Sequence, residues 1–439
     1  MVYFLILLLF AFIIIGFVIY KNIYNPITLM NASWFLYVTL SLLSLYGVDR
    51  PNSETYSLIF WGIISYNISF LFLGKRYFKL NSRKNRDCSV DLKKEAVFNY
   101  KLLYVVYIIV IFFLLIQSAS VLNLIISGYK LDYIRQIYVD QENTSSWVLN
   151  FRGYIATPVV YLSLPVMAID FFNGKRDKLL IVATFILMGL WVFSSGGGRS
   201  ILIWLILYFI LSKLIFKREI DLKLNLPSKI VALLGSFLIL SYLLYMSLQR
   251  RVDFDFFREF YIYFGVPIIH MERRIEYINM YFNDFYSFGL SSLNGIFQSF
   301  FFLLNNLKII PTYPEILLET KFLSFDILEE GISVGGSVPD MNAFATIFYQ
   351  FYLDGRVIGI IVGMSIFGIF VGHFYNKMVI DFSNKYVLLY LLLAQKIVFS
   401  MVRFYFNQVN QTICFIMAFF IFSYVYTKFD KRTLIKRSK

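Results

Sequence analysis

Residues 2–20, VYFLILLLFAFIIIGFVIY, are nineteen consecutive side chains without a charge. About 20 apolar residues in a helix match the hydrocarbon thickness of a bilayer, and backbone placed in lipid must satisfy its own hydrogen bonds. Comparable runs recur near 28–47, 57–74, 101–119, 153–172, 179–196, 200–216, 229–248, 357–376, 386–404 and 409–427. The expected fold is therefore an all-α polytopic membrane protein, one integral membrane domain over 1–439. It has about 11 transmembrane helices, with 11–13 allowed by the interrupted stretches. A composition that is 59% hydrophobic, 20% aromatic and 15% charged lies far outside the soluble norm. The first run lacks a positive leader and a small-residue cleavage site, so it reads as a first span and not as a signal peptide.

The net charge of +14 would point to nucleic acid in a soluble chain. Here its distribution explains it without nucleic acid. The loop KRYFKLNSRKNRDCSVDLKKE (75–95) carries eight Lys/Arg, NGKRDK (173–178) three, KREIDLKLNLPSK (217–229) four, and KFDKRTLIKRSK (428–439) six. If the helices alternate in direction, all four segments fall on one side. Positive loops mark the cytoplasmic face, so the N-terminus is expected outside and the C-terminus inside. Cys88 and Cys414 are too few and too far apart for a disulfide framework.

Three outward segments follow from that topology. One is 120–152. The second is the turn SSGGGRS, at 194–200. The third, 249–356, is too long for a plain connector and is where function is expected. Within it, GLSSLNGIFQSFFFLLNNL (289–307) reads as a re-entrant or interface-lying helix, or as a further span.

The glycine turn is not a nucleotide loop. It lacks the lysine and spacing of GxxxxGK[ST], and it lacks the strand and spacing of GxGxxG. What it offers is exposed amides at a helix start beside Arg199, which suits a phosphate-type anion. A short helical hairpin with a snorkelling arginine satisfies the same residues.

Arg250, Arg251, Arg258, Arg273 and Arg274 crowd into 25 residues of the large loop, against the topological bias. They serve either an anionic ligand or ion pairs with Asp253, Asp255, Glu259, Glu272 and Glu276. If HMERRIEY is helical, His270, Arg273, Arg274 and Tyr277 share one face, placing a base beside two cations. A structural histidine is the competing account. No metal-ligand spacing appears. Asp340 and Asn342, followed by an aromatic run that includes Tyr349, compose a surface for sugar rings or a plain helix entry. Lys396, in LLLAQKIVFSMVRF with Arg403 beyond it, is an ionisable residue at depth and so points to a cavity or a partner.

These features together resemble the Wzy-type O-antigen and capsule repeat-unit polymerases. The likeness rests on eleven or so spans, a small and a large outer loop, SSGGGRS, and P-D-x-N followed by FYLDG before the next span. The resemblance implies a metal- and cofactor-independent glycosyltransferase of GT-C-like architecture in the cytoplasmic membrane of a bacterium. It would join undecaprenyl-pyrophosphate-linked oligosaccharide units at the outer face. Donor and acceptor lipids, membrane lipid and a chain-length regulator protein are the implied partners. Carried over by position, Arg135 or Arg152, Arg199, Arg251, Arg258, Arg273 and Arg274 would bind pyrophosphate. His270 or Glu272 would act as base, and Asp340, Asn342 and Tyr349 would face the sugar.

An O-antigen ligase would share this architecture. A lipid-linked oligosaccharide flippase should have short loops on both sides, which 249–356 opposes, and a scaffold would need no outer arginine cluster.

Overall fold

A computed structural model describes residues 1–84, 93–129, 146–195, 200–217, 255–336, 338, 340–342 and 344–427. The molecule is mostly helical. Five helices are long and apolar enough to cross a membrane: Val2–Tyr20 (α1), the Ser53–Phe72 part of Ser53–Lys84 (α3), Tyr100–Ile126 (α4), Ser146–Asn173 (α5) and Thr346–Asp381. Pro26–Leu42 (α2), Lys178–Ser194 (α6) and Ser200–Phe216 (α7) are shorter, with 17 residues each. The expected span 229–248 lies outside the described residues, so the count of eleven is carried no further.

Local chemistry sets the helix boundaries. Asn25 accepts from Thr28 N at 2.9 Å and Pro26 opens α2, so a cap and a pre-set φ start that helix. Asp177 starts α6 by accepting from Leu179 N at 3.0 Å and Leu180 N at 3.2 Å. Close approach then fixes the packing. Helix α3 crosses Thr346–Asp381 so tightly that a Cβ at Gly368 would lie 2.6 Å from the Tyr66 carbonyl oxygen. Small residues at such crossings let two backbones meet where lipid gives no hydrophobic drive.

The large segment from 255 onward is helical. It contains Phe256–Gly265 (α8), Pro267–Tyr281 (α9), Asn294–Asn306 (α10) and Glu315–Lys321 (α11). Helix α10, with 13 residues, rises about 20 Å, too little to cross a bilayer. Its first turn wedges against 406–412.

Helix Thr346–Asp381 (α12) starts inside the segment expected as outer loop and breaks at Gly355–Arg356. Arg356 is left-handed there, with φ 55, and its guanidinium donates to the Phe282 carbonyl at 2.9 Å and the Asn283 carbonyl at 2.7 Å. Asp354 accepts from Ser287 Oγ at 2.6 Å and from the amides of Gly289 and Ser291 at 3.0 Å. The LDG element is thus a latch that ties turn 287–292 to a helix break.

Two expected spans differ. Helix Asn384–Val398 (α13) stops short of residue 404, because 399–404 turns back under the large loop. Beyond it, 409–427 is not one helix but the nine-residue Val409–Met417 (α14) followed by a strand. That strand, Phe422–Thr427 (β2), pairs antiparallel with Lys93–Phe98 (β1), Lys93 opposite Thr427. Its aromatic and β-branched content, FSYVYT, favours a strand, and Phe98 stacks on Phe422 at 5.0 Å. An unbroken apolar run cannot distinguish this from a helix.

The connections sort into two ends. At one, the Tyr100 hydroxyl meets Asp170, Asn173 meets Asn384, Lys385 meets Tyr424, Asn22 meets Tyr375, and β1 meets β2. At the other, Asp49 meets Arg273, Arg152 meets Ser194, Tyr154 stacks on Phe302, and Ala345–Ile347 meets 400–402. Residues 93–98, which close the basic 75–95 segment, and 422–427, which lead into the basic tail, therefore share an end.

Candidate functional site

Helix α9 carries four of the expected site residues, and its packing gives each a supporting role. His270 is fully buried, its ring nitrogens without a hydrogen bond. Burial, reinforced by the Arg274 charge, lowers its pKa to about 3, although backbone at Phe344 and Met341 pulls the other way. The imidazole is neutral and faces no cleft.

Glu272 Oε2 accepts from Asn52 N and Thr55 Oγ1, both at 2.6 Å, at the start of α3. A carboxylate at a helix N-terminus is favoured by the orphan amides and the dipole. Arg273 bridges Asp49 at 2.8 Å and Glu276 at 3.0 Å, and these hydrogen bonds hold its pKa above the ordinary value. Buried Arg274 donates to the Glu330 carbonyl, and desolvation lowers its pKa. Buried Tyr349 donates to the Leu323 carbonyl at 2.8 Å. The helical spacing that aligned a base with two cations is real; His270 and Arg274 are buried, and Arg273, one-third exposed, is held by Asp49 and Glu276.

The other expected residues do not converge either. Arg258 is half-buried, 5.9 Å from the Tyr46 ring. Asp340 and Asn342 are exposed on either side of buried Met341, which bridges to Ile332, whereas Tyr349 is interior. Arg135, Arg199, Arg250, Arg251 and the glycines 196–198 lie outside the described residues. An open groove between Asp284–Phe288 and Glu315–Glu319 is lined by three carboxylates, so it repels a phosphate.

The structure does gather cations elsewhere at this end. Arg152 sits in a π turn, Arg152–Ala156, inside α5, and such widened turns concentrate at functional sites. Its Nη2 reaches the Ser194 carbonyl at 3.4 Å, the last residue of α6 and two before the glycines. Tyr161, buried below it on α5, lies within electrostatic reach of both Arg152 and Arg403, and of Tyr405. Arg403 in turn neighbours Tyr405 and Glu329.

The hairpin that presents Arg403 is held by the large loop. Ala345 N donates to Val402 O at 3.0 Å, Ile347 N to Ser400 O at 2.7 Å, and Phe404 N to Gln350 Oε1 at 3.2 Å. Aromatic rings wall the site edge-to-face: Tyr161 with Trp191 at 5.6 Å and with Trp204 at 4.9 Å, and Trp204 with Tyr405 at 5.8 Å. Arg152 and Arg403 are both half-buried at this end. An arginine fork matches an anion with several oxygens geometrically.

In the sequence Arg152 is one of many arginines, and Arg403 stands out only beside Lys396. The available signal was VRFYF, a charge followed by three aromatic rings that interrupt an apolar run.

No protein-family model, curated protein or solved structure matches the chain. Hydropathy and helix lengths define it as a mostly helical membrane protein. Within that class, Arg152 and Arg403, at one end of the bundle, are the residues from which a function can be argued.

Proposed function

We propose that the protein polymerises undecaprenyl-pyrophosphate-linked oligosaccharide repeat units at the outer face of a bacterial cytoplasmic membrane. The observation that carries this reading is that Arg152, which reaches the Ser194 carbonyl beside the glycine turn, and Arg403, on the turn held against 345–350, lie at the same end of the bundle. That end is opposite the one where β1 pairs with β2, which the positive charge of the flanking sequence assigns to the cytoplasm. The resemblance of SSGGGRS and the two outer segments to the Wzy-type polymerases supports the same end as the working face.

In this reading a sugar hydroxyl of one lipid-linked unit attacks the anomeric carbon of another. The anomeric C–O bond breaks and its electron pair leaves with the lipid pyrophosphate. The acceptor proton passes to solvent once the new C–O bond forms. The leaving group is good, so the protein's main task is to stabilise its developing charge and to align the acceptor. Arg152 and Arg403 serve the first need through an oxocarbenium-like transition state. In this reading Glu272, hydrogen-bonded to Asn52 and Thr55, and His270, buried, are not used as the base.

Gene deletion tests the reading. A polymerase predicts surface glycan of one repeat unit where the parent shows a ladder of lengths. Long chains never joined to their final acceptor would instead indicate a ligase. Lipid-linked units trapped on the cytoplasmic face would indicate a flippase.

A further inference from the structure

Helix α10 carries its polarity the wrong way round for a helix on a water-facing loop. Leu293, Ile296, Phe300, Leu303 and Leu307 recur at steps of three and four, so they form one stripe along it, and all five are exposed. The other face turns small and polar residues toward the protein. Asn294 and Gly295 are buried there, and Asn294 Nδ2 donates to the Asn407 carbonyl at 3.3 Å. Helix α9, in the same segment, shows the ordinary arrangement: Ile268, Met271, Ile275 and Ile278 are buried, and Glu276 faces out. No charged residue occurs from 289 to 307. A contiguous exposed apolar stripe marks a surface that something apolar covers.

The contacts of α10 fix its depth. A Cβ on Gly295 would lie 2.4 Å from Thr412 Oγ1 and 2.7 Å from the Phe406 carbonyl oxygen, so its first turn rests on the turn that follows α13. Two helical turns further on, Phe302 stacks on Tyr154 at 4.5 Å, in the π turn of α5. Helix α13 has 15 residues and starts beside Asn173 at the β1–β2 end. It rises about 22 Å, which carries its far end past the middle of a hydrocarbon core about 30 Å thick. The 154–173 part of α5 rises about 30 Å from the same end and sets Tyr154 near the opposite boundary. Both supports of α10 therefore lie in the half of the bilayer away from β1 and β2.

The stripe also continues onto a surface inside the bundle's span. Ile416 follows Thr412 by one turn of α14, so it shares the face on which Gly295 packs, and it is exposed, as is Phe420 beyond it. An apolar exterior beside that wall, with the polar residues turned inward, is the arrangement that hydrocarbon favours and water penalises.

We propose that α10 is an interfacial helix that lays its Leu293–Leu307 stripe on the acyl chains of the outer leaflet, neither crossing the bilayer nor re-entering it. Exposed Asn306 and Lys308, at its end, reach the headgroups. Tyr154 lies two residues beyond Arg152, so the helix brings the lipid surface close to that arginine. This placement holds whatever chemistry the protein performs.

Spin labels on single cysteines test it, in cysteine-free full-length protein reconstituted into phosphatidylcholine–phosphatidylglycerol vesicles. Labels at Phe300→Cys and Leu303→Cys should collide more with oxygen, which partitions into hydrocarbon, than with a water-soluble nickel chelate. Their depth should be roughly 5–10 Å below the phosphate level. A label at Asp284→Cys, on the turn before α10, should show the reverse preference. All three positions are exposed, so the labels leave the packed core intact. Preferential collision of the 300 and 303 labels with the chelate would put the stripe in water and overturn the proposal. Labels at the bilayer centre would overturn it too, as the mark of a re-entrant segment. So would labels shielded from both reagents and dipole-coupled between molecules, which would make the stripe an interface between two copies of the chain.

Discussion

The Thr55 hydroxyl donates to Glu272 Oε2 at 2.6 Å, so a carboxylate from the large loop secures the first turn of a membrane helix. This fastening makes Glu272 a structural residue. Glu272→Ala should lower stability by about 1–3 kcal/mol, the cost of stranding buried donors, as read by thermal unfolding in detergent. Polymerisation per folded molecule should be unchanged. Normal stability with abolished activity would restore Glu272 as a base.

His270 makes the fold sensitive to acid. Its folded pKa of about 3 lies below the unfolded value near 6.5. Between those values the unfolded chain binds a proton that the folded chain refuses. Stability should therefore rise with pH from about 3 to 6.5, at up to ~1.4 kcal/mol per pH unit for this one group. His270→Leu should flatten that part of the thermal-midpoint profile. An identical profile in the variant would show that the imidazole is not buried as described.

Gly368→Val tests the crossing of α3 and α12. A Cβ 2.6 Å from the Tyr66 carbonyl oxygen forces two backbones apart and cannot be relieved by a rotamer. The yield of folded protein after detergent extraction should fall sharply. Gly153→Ala, where nothing lies within 4 Å of the added carbon, is the matched control and should behave as wild type.

Orientation is tested by labelling in a cysteine-free background. A cysteine at exposed Asp284 should react with an impermeant maleimide in intact cells, whereas one at exposed Asn173 should react only after lysis. The reverse pattern would invert the topology and move the arginine pair to the cytoplasm.

The spanning helices were legible because uniform hydropathy and bilayer thickness fix both their type and length, as α1 and α4 illustrate. The end of the chain was not, because 409–427 is apolar whether it folds as helix or strand, and only pairing with 93–98 decides. Helix α9 was legible in its periodicity but not in its role, since 3.6-residue spacing says which side chains share a face and nothing about what covers it. Arg403 and Tyr161 are far apart in sequence, and no local pattern announces that the turn after α13 folds back toward α5. The Asp354 latch was hidden for the same reason: LDG looks like a plain helix entry until the amides of 289–292 are found on its carboxylate.

The central claim is that Arg152 and Arg403 act together on a pyrophosphate. The most direct measurement is the polymerisation rate of purified Arg152→Ala, Arg403→Ala and the double variant with the lipid-linked repeat unit, each at matched folded concentration. Loss of a charge-assisted hydrogen bond worth about 1.5–3 kcal/mol in the transition state predicts roughly ten- to a hundredfold slower turnover for each single variant. The double variant should differ from the product of the two single effects, because both groups serve one ligand. Arg→Lys at either position should recover only part of the rate, since an ammonium lacks the fork. A well-folded double variant that polymerises at the wild-type rate would contradict the account.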